Sequence, residues 1–454
     1  MRLFLSIIIL CFIVSCAGIK PVPKQGPPAS RQSLAILFSN STLGAFEPQG
    51  CGCRRQGGVA RRTHFINNFR KNHPSAVVLD TGNSLFDRSD LQNPGDTTKA
   101  DYMLAVLNHM GVDVLNMGVY DLSNGINYIK AKEKKLLFPL VSANITSLST
   151  QDLIFRPHVI KTVNRIKIGI FGITRPYDNI LNLPISNEIH FDSPFTSADR
   201  TVKELQNKGC ALIVLLSQLS QEDNKRIAQE VPGIHFILGS SSKQLLPDPE
   251  VVGRTAILSP GAGGTHMGVL QITGENGPAS FYNAENRASV IKKISALKQK
   301  EQNPENVADI EEVVLKRVLL EKKLKSFDGK NSYSYKVIAL DQKIAEDPHV
   351  RLLVEKHKEA KLRKKLSSYK HSVPLVDIST LAEEKRLMAL RLMNEVACDE
   401  NRSIAELAGK SPFCRKLAQM IVDSVRKGQS EGKIRYSILY EKGKKSLDKN
   451  LQFQ

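Results

Sequence analysis

Between residues 34 and 280 the apolar positions fall in short unbroken runs separated by polar stretches of longer period. Ala35–Phe38, Ala76–Asp80, Val112–Asn116, Phe138–Asn144, Lys167–Ile173, Ala211–Ser217 and Phe236–Gly239 have the length and composition of buried strands. Between several of them lie Lys99–Met110, Thr196–Lys208 and Asn224–Val231, with Ala60–Arg70 after the first, all reading as helices. Strands that are apolar throughout need cover on both faces. The alternation therefore predicts a layered α/β domain over residues 34–282. Beyond residue 283 the style changes. Glu285–Phe327 (interrupted at Asn303-Pro304), Leu352–Tyr369, Leu381–Val396 and Pro412–Lys427 predict a basic, mainly α-helical C-terminal region, 283–454.

The N-terminus carries a third pattern. Arg2 precedes the apolar run Leu3–Val14, which ends in Ser15-Cys16-Ala17-Gly18. A run of about 12 residues is too short to span a bilayer as a helix, which needs about 20. A basic start, an apolar centre and small residues at the end describe an export signal. Val14-Ser15-Cys16 resembles a bacterial lipobox. That implies a lipoprotein signal peptide over 1–15 and lipidation of Cys16, with an ordinary signal peptide as the alternative. Ala17 after the cysteine points to the outer membrane, facing the periplasm. Residues 16–33, rich in Pro, Lys, Gln and Gly without periodicity, read as a flexible tether.

Charge narrows the partners. The 454 residues have room for two or more domains and carry a net charge of +19, with pI ≈ 9.5. Residues 281–454 hold 36 Lys and Arg against 24 Asp and Glu, so they supply +12 of that total. Such a balance suits an anionic partner. Export argues against nucleic acid, which leaves anionic lipid or a cell-wall polymer; a plain solvated helical surface is the bland alternative. Once Cys11 leaves with the signal and Cys16 takes lipid, Cys51, Cys53, Cys210, Cys398 and Cys414 remain, an odd number. Cys210 lies in an apolar run and reads as a buried, inert thiol. Cys398 and Cys414 flank a polar loop and can pair if that segment is a helical hairpin.

The chemistry-bearing positions are unusual. Ligands in α/β proteins are held at the C-terminal ends of strands. The first strand ends in Ser39-Asn40-Ser41-Thr42-Leu43, with no carboxylate or imidazole. Cys51-Gly52-Cys53 follows, beside Arg54 and Arg55, whose charges lower a thiol pKa. Two thiolates make half a tetrahedral zinc site. A soft-metal site, a redox pair and a structural staple all remain open. His64, His73, His109, His158, His190, His235 and His266 show no paired ligand spacing, and none is assigned to metal.

Taken in order, several segments resemble the N-terminal domain of the 5′-nucleotidase family, a branch of the calcineurin-like metallophosphoesterases. They are Ile36-Leu37 with Gly44, Gly57-Gly58-Val59-Ala60-Arg61-Arg62, Leu79-Asp80-Thr81-Gly82-Asn83, Leu107–Asp113, Met117–Asp121, Ser142-Ala143-Asn144, Ile168–Thr174, Leu215–Gln218 and Ile237–Ser241. The resemblance covers roughly 34–280 and implies a β-sandwich flanked by helices. It also implies two divalent metals that generate a hydroxide and clamp a phosphoryl group. Ligands in the family are Asp and His on the first turn, Asp on the second, Asn-His on the third and His on later turns.

This sequence departs at every one of those positions. Ser41 and Leu43 stand on the first turn, Asn83 on the second, Val119-Tyr120 on the third, Gln218 after the Leu-Ser, and Ser241-Ser242-Lys243 on the last. Hard cations need oxygen or imidazole donors, with carboxylates offsetting charge. The expectation is therefore no catalytic residue, no metal ligand and no cofactor. Asp80 is expected to support its turn and Asp121 to cap one. The vacated site, with Lys243 and Arg54-Arg55 nearby, would hold at most an anion. The leading reading is a binding or scaffolding pseudoenzyme. Two alternatives remain: an active phosphohydrolase with a divalent metal pair acting on nucleotides or other phosphate esters, and a thiol-based redox or metal-handling protein using Cys51 and Cys53.

Overall fold

A computed structural model gives the fold and describes residues 32–50, 55–87, 97–176, 184–274, 281–302 and 308–368. The expected signal peptide, Cys16, nearly all of the expected tether, Cys51, Cys53, Cys398, Cys414 and the segments 381–396 and 412–427 lie outside those residues. The chain divides into two compact units. Among the described residues, one comprises Ala35–Leu270 with 335–368; the other comprises Gln271–Ser334 with 32–34.

The larger unit is built on two sheets. In the first, β13 (His266–Gly274), β1 (Gln32–Ser39), β2 (Val77–Asp80), β3 (Val114–Asn116) and β4 (Leu140–Val141) lie side by side in that order. Strands β1 to β4 are parallel, and the register sets Ser39 beside Asp80 at their C-terminal ends. The second sheet runs β11 (Glu250–Val252), β12 (Thr255–Leu258), β10 (Phe236–Leu238), β9 (Leu212–Gln218), β7 (Ile166–Thr174) and β6 (His158–Val163). Its four central strands are parallel and its two edges antiparallel. Thr174 pairs with Gln218 at the end of this second parallel set. A two-stranded ribbon, β5 (Ile145–Ser147) with β8 (Ile189–Phe191), completes the unit. The sheets meet closely. Gly172 on β7 leaves room for the Asn116 side chain from β3, whose Oδ1 would lie 2.0 Å from a Cβ at that position.

Burial explains why the strands are apolar throughout. On the outer face of the first sheet, Leu37, Val78, Leu115 and Leu140 pack with Ile66 of helix Val59–Asn72 and with Met103 and Leu107 of helix Thr98–Met110. On the outer face of the second, Phe171, Ile213, Leu215 and Ile237 pack with Val202 and Leu205 of helix Pro194–Asn207 and Ile227 of helix Gln221–Glu230. Each such side chain contributes roughly 1.5–3 kcal/mol when fully buried. The last two helices start where the sequence offers caps. The Ser193 and Ser220 side chains accept from the Thr196 and Asp223 N–H groups. Helix Val59–Asn72 instead starts from Gly57-Gly58, both at positive φ (83° and 88°). A Cβ on Gly58 would sit 2.9 Å from Pro48, so only glycine fits this entry.

The chain beyond Tyr335 returns to the larger unit. Tyr335, in β15 (Asn331–Ala339), stacks on Phe38 with ring centroids 6.1 Å apart. The Leu340 N–H donates to the Thr265 carbonyl at 2.9 Å, and the Leu340 carbonyl accepts from the Gly57 N–H at 2.8 Å. Helix Pro348–Ser368 then buries Val350 and Val354 in the same core as Leu37 and Ile66. A strand here departs from the helical reading of this region. Within 34–282 the apolar runs likewise do not announce β5, β6, β8, β11, β12 and β13. The stretch Phe138–Asn144, expected as one strand, pairs only over Leu140–Val141.

In the smaller unit, helices Ala284–Gln302 and Ala308–Lys325 lie side by side. Arg317 ties them together through Glu301 at 2.6 Å, while also bonding Glu321 at 3.0 Å. β14 (Phe281–Asn283) pairs in parallel with Asn331–Tyr333. Among the described residues no helix is long and apolar enough to cross a membrane.

Candidate functional site

The C-terminal ends of both parallel sets bring together the turns that follow β1, β2, β9, β10 and β12. Gln218, the last residue of β9, sits at their centre and is buried. Its Oε1 accepts from the Ser41 hydroxyl at 3.1 Å and from Asn83 Nδ2 at 2.7 Å. Its Nε2 faces four acceptors: the Thr81 carbonyl at 3.0 Å, Thr81 Oγ1 and the Gly82 carbonyl at 3.2 Å each, and Asn40 Oδ1 at 3.3 Å. An amide nitrogen has two hydrogens, so these four share them.

A second amide extends the network. Asn40 Oδ1 also accepts from Thr81 Oγ1 at 2.6 Å and from the Ser240 N–H at 3.2 Å, and its Nδ2 donates to the Gly261 carbonyl at 3.2 Å. Asn116 Nδ2 donates to the Thr81 carbonyl at 2.9 Å and to Thr174 Oγ1 at 3.3 Å. Asn83 Oδ1 receives the Tyr120 N–H at 2.9 Å. Five turns are thus cross-linked by neutral side chains. Asn40, Ser41, Thr42, Asn83, Asn116 and Gln218 are all buried. Most of their hydroxyls and amides bond one another, while Thr42 Oγ1 and Asn116 Oδ1 have no hydrogen-bond partner among the described residues.

The two nearby carboxylates are committed to the turns. Asp80 accepts from the Ser39 hydroxyl at 2.9 Å, the Ser84 hydroxyl at 2.6 Å and the Gly82 N–H at 3.0 Å. Asp121 accepts four backbone N–H groups, from Asn83 (2.6 Å), Ser84 (2.7 Å), Leu85 (2.8 Å) and Gly118 (2.9 Å). Burial pushes the Asp121 carboxyl up to about 6, and three of those N–H groups, on Leu85, Gly118 and Asn83, hold it down. Behind Asp80 lies Arg62, fully buried, with Nη1 4.0 Å from Asp80 Oδ2 and Nη2 3.9 Å from Met103 Sδ. Burial lowers its pKa and Asp80 raises it. Arg62 was visible in the sequence only as part of the Gly-Gly helix start; nothing there marked it as a core cation.

Of the eight positions singled out from the sequence, Ser41, Asn83 and Gln218 meet directly. Tyr120 joins them through its backbone. Leu43 is half-buried and bonds Asn83 through its N–H and the Asn83 carbonyl at 2.8 Å. Val119 points into the apolar core. The Ser241 N–H donates to the Leu219 carbonyl at 2.8 Å, and Lys243 is exposed. Cys51 and Cys53 fall outside the described residues. Cys210 is buried with a free thiol, and burial raises its pKa. Among the described residues no group of three or more His, Cys, Asp or Glu side chains could hold a metal ion.

Two facing sheets flanked by helices, with a site at the ends of their parallel strands, define the calcineurin-like metallophosphoesterase fold. Within that class the relatives are 5′-nucleotidases, and the chain is homologous to them over a domain. A probable 5′-nucleotidase of Treponema pallidum is 29% identical over 203 residues, 44% of this chain and 33% of that protein. The chain thus spans about a third of that relative's length. Among solved structures, a 5′-nucleotidase precursor from Thermus thermophilus superposes with a TM-score of 0.55 at 16% identity, covering 81% of this chain and 68% of the other. The calcineurin-like phosphoesterase YfkN of Bacillus subtilis gives 0.54 at 14% identity, covering 74% and 99%. No family model matches the sequence.

Proposed function

We propose that this protein is a lipid-anchored envelope protein in which a 5′-nucleotidase-type metallophosphoesterase domain serves for binding or scaffolding instead of hydrolysis. One observation carries the reading: the Gln218 amide is hydrogen-bonded to residues of both turns that face it, after β1 and β2. A divalent pair does not fit these residues. It requires several oxygen or imidazole donors with carboxylates to offset charge, whereas Nε2 brings hydrogens to the centre of the site. Ser41 and Asn83 spend donors on Gln218, and Asp80 and Asp121 spend their oxygens on turn N–H and hydroxyl groups.

Anchoring rests on the Val14-Ser15-Cys16 sequence, and an anionic lipid or wall polymer is the partner suited to the basic region beyond residue 281. The test is elemental analysis of the purified mature protein together with assays on AMP, UDP-sugars and p-nitrophenyl phosphate. The expected result is no stoichiometric Mn, Zn or Fe and no turnover. Two metal ions per chain, or metal-dependent hydrolysis, would sink the proposal in favour of an active phosphohydrolase.

A further inference from the structure

The helix Ala308–Lys325 has two faces of different character. Arg317 and Glu321 lie toward the neighbouring helix, where they meet Glu301 and Lys298. Among the described residues the other face is exposed, and its Glu312–Lys316 ion pair lies within the helix itself. Leu315, Val318 and Leu319 are 60%, 49% and 58% exposed, three large apolar side chains at the i, i+3, i+4 spacing of one stripe. Charge is ordered along the same stripe. Glu311 and Glu312, both exposed, lie one turn before Leu315, and Lys322 and Lys323, also exposed, lie one turn after Leu319.

An acidic end, an apolar centre and a basic end make a surface complementary to itself when a second copy runs antiparallel. Centred on Arg317, such a pairing sets Leu315 against Leu319 of the second copy, Glu311 against Lys323 and Glu312 against Lys322. A twofold axis requires this reciprocity, with residue i meeting j and j meeting i. A parallel pairing would oppose like charges at both ends. An anionic lipid surface suits the lysines but repels Glu311 and Glu312 on the same face.

We infer that the exposed face of helix Ala308–Lys325 is a homodimer contact, formed by antiparallel packing against the same helix of a second copy. The contact is independent of the reading of the metallophosphoesterase-type site. One helix pair is small among specific interfaces, so the dimer belongs to the weak, reversible class.

Sedimentation velocity on the full mature chain, across about 1–100 μM, should show a monomer–dimer equilibrium in that micromolar range. Leu315→Glu with Leu319→Glu should weaken it by at least about a hundredfold while circular dichroism stays unchanged, because both side chains are already exposed. A charge test avoids touching the apolar centre. Glu311→Lys with Glu312→Lys makes one all-basic variant; Lys322→Glu with Lys323→Glu makes one all-acidic variant. Each alone should stay monomeric, and an equimolar mixture should dimerise. The inference is overturned if the native chain is monomeric throughout, if the leucine variant dimerises as before, or if the mixed variants do not associate. A chain monomeric in solution that floats with anionic phospholipid vesicles, and loses flotation in the leucine variant, would overturn it in favour of a membrane contact.

Discussion

Replacing Gln218 by leucine separates a structural network from a ligand site. Leucine keeps much of the volume but removes both ends of the amide. The Ser41 hydroxyl and the Gly82 carbonyl then lose the amide they share, and Asn83 Nδ2 loses one bond. The Thr81 carbonyl keeps Asn116, and Asn40 Oδ1 keeps Thr81 and Ser240, so those acceptors are not orphaned. Each buried polar group left unpaired costs about 1–3 kcal/mol, and the Ser41 hydroxyl can rotate to lessen its share. One to two such groups give a net loss of about 2–4 kcal/mol, a large part of the 5–15 kcal/mol typical of a folded domain. Urea unfolding of native and variant protein reads this as a lower midpoint at unchanged slope. Residues kept for binding or catalysis commonly cost stability, and replacing them often raises it. A loss below about 1 kcal/mol, or a gain, would refute the structural role of Gln218 and reopen the site as one held for a ligand.

Further outcomes follow from neighbouring geometry. Asp121→Asn keeps an acceptor for one pair of N–H groups but turns amide hydrogens against the other pair (Asn83 with Gly118, or Ser84 with Leu85), and should lower stability by about 3 kcal/mol, read in the same urea experiment. His235 is held to a pKa of about 4 by burial, below its ordinary 6.5, and the Ile213 N–H donates to its Nδ1 at 3.0 Å. Because the folded value is depressed, its contribution is complete above pH 6.5 and is lost as pH falls toward 4. That amounts to about 2–3 kcal/mol, and the acid-side slope of thermal stability should shrink in His235→Gln. Leu340→Ala, far from the site in sequence, should cost about 2–5 kcal/mol, because Leu340 and Val350 are fully buried in the core under the first sheet. Native-like thermal stability in that variant would show that the returning segment is dispensable.

Unbroken apolar runs made the parallel strands legible, since Leu37, Val78, Ile213 and Leu215 are buried whichever face they point to. Helix positions followed for the same reason. The edge and antiparallel strands did not announce themselves. All of β6 is half-buried or exposed, and β15 alternates buried Tyr333 and Tyr335 with half-exposed Ser332 and Ser334 inside a charged, helix-rich region. At the site the sequence identifies which positions depart from the metal-ligand pattern, because that is a property of single residues. It does not identify which partners those side chains bond. Gln218 lies 177 residues from Ser41 and 135 from Asn83, so their bonds exist only in the folded chain. Arg62 is a similar case: an arginine on a helix reads as a surface residue until the sheet above it is placed.

The backbone at the site holds left-handed conformations that two of its side chains, Ser41 and Leu43, do not favour. Ser41, Leu43 and Asn83 have φ of 42°, 54° and 57°, in the left-handed region. Leucine there carries strain of roughly 1–2 kcal/mol. What holds the turn is backbone, not side chain: the Leu43 N–H donates to the Asn83 carbonyl at 2.8 Å, the Gly44 N–H to the Ser84 carbonyl at 3.2 Å, and the Gly263 N–H to the Ser41 carbonyl at 2.9 Å. Side chains on such a turn can change while its path stays. Leu43→Asn should therefore leave stability unchanged or raise it by up to about 1 kcal/mol, because asparagine tolerates positive φ and only a half-buried leucine is lost. Leu43→Val, closer to leucine in chemistry, should lower stability by about 1 kcal/mol or more, since a β-branched residue is least tolerant of this conformation. The order of the two variants in a urea titration decides the matter. If valine proves the better substitute, side-chain packing and not the pinned backbone sets the shape of this turn.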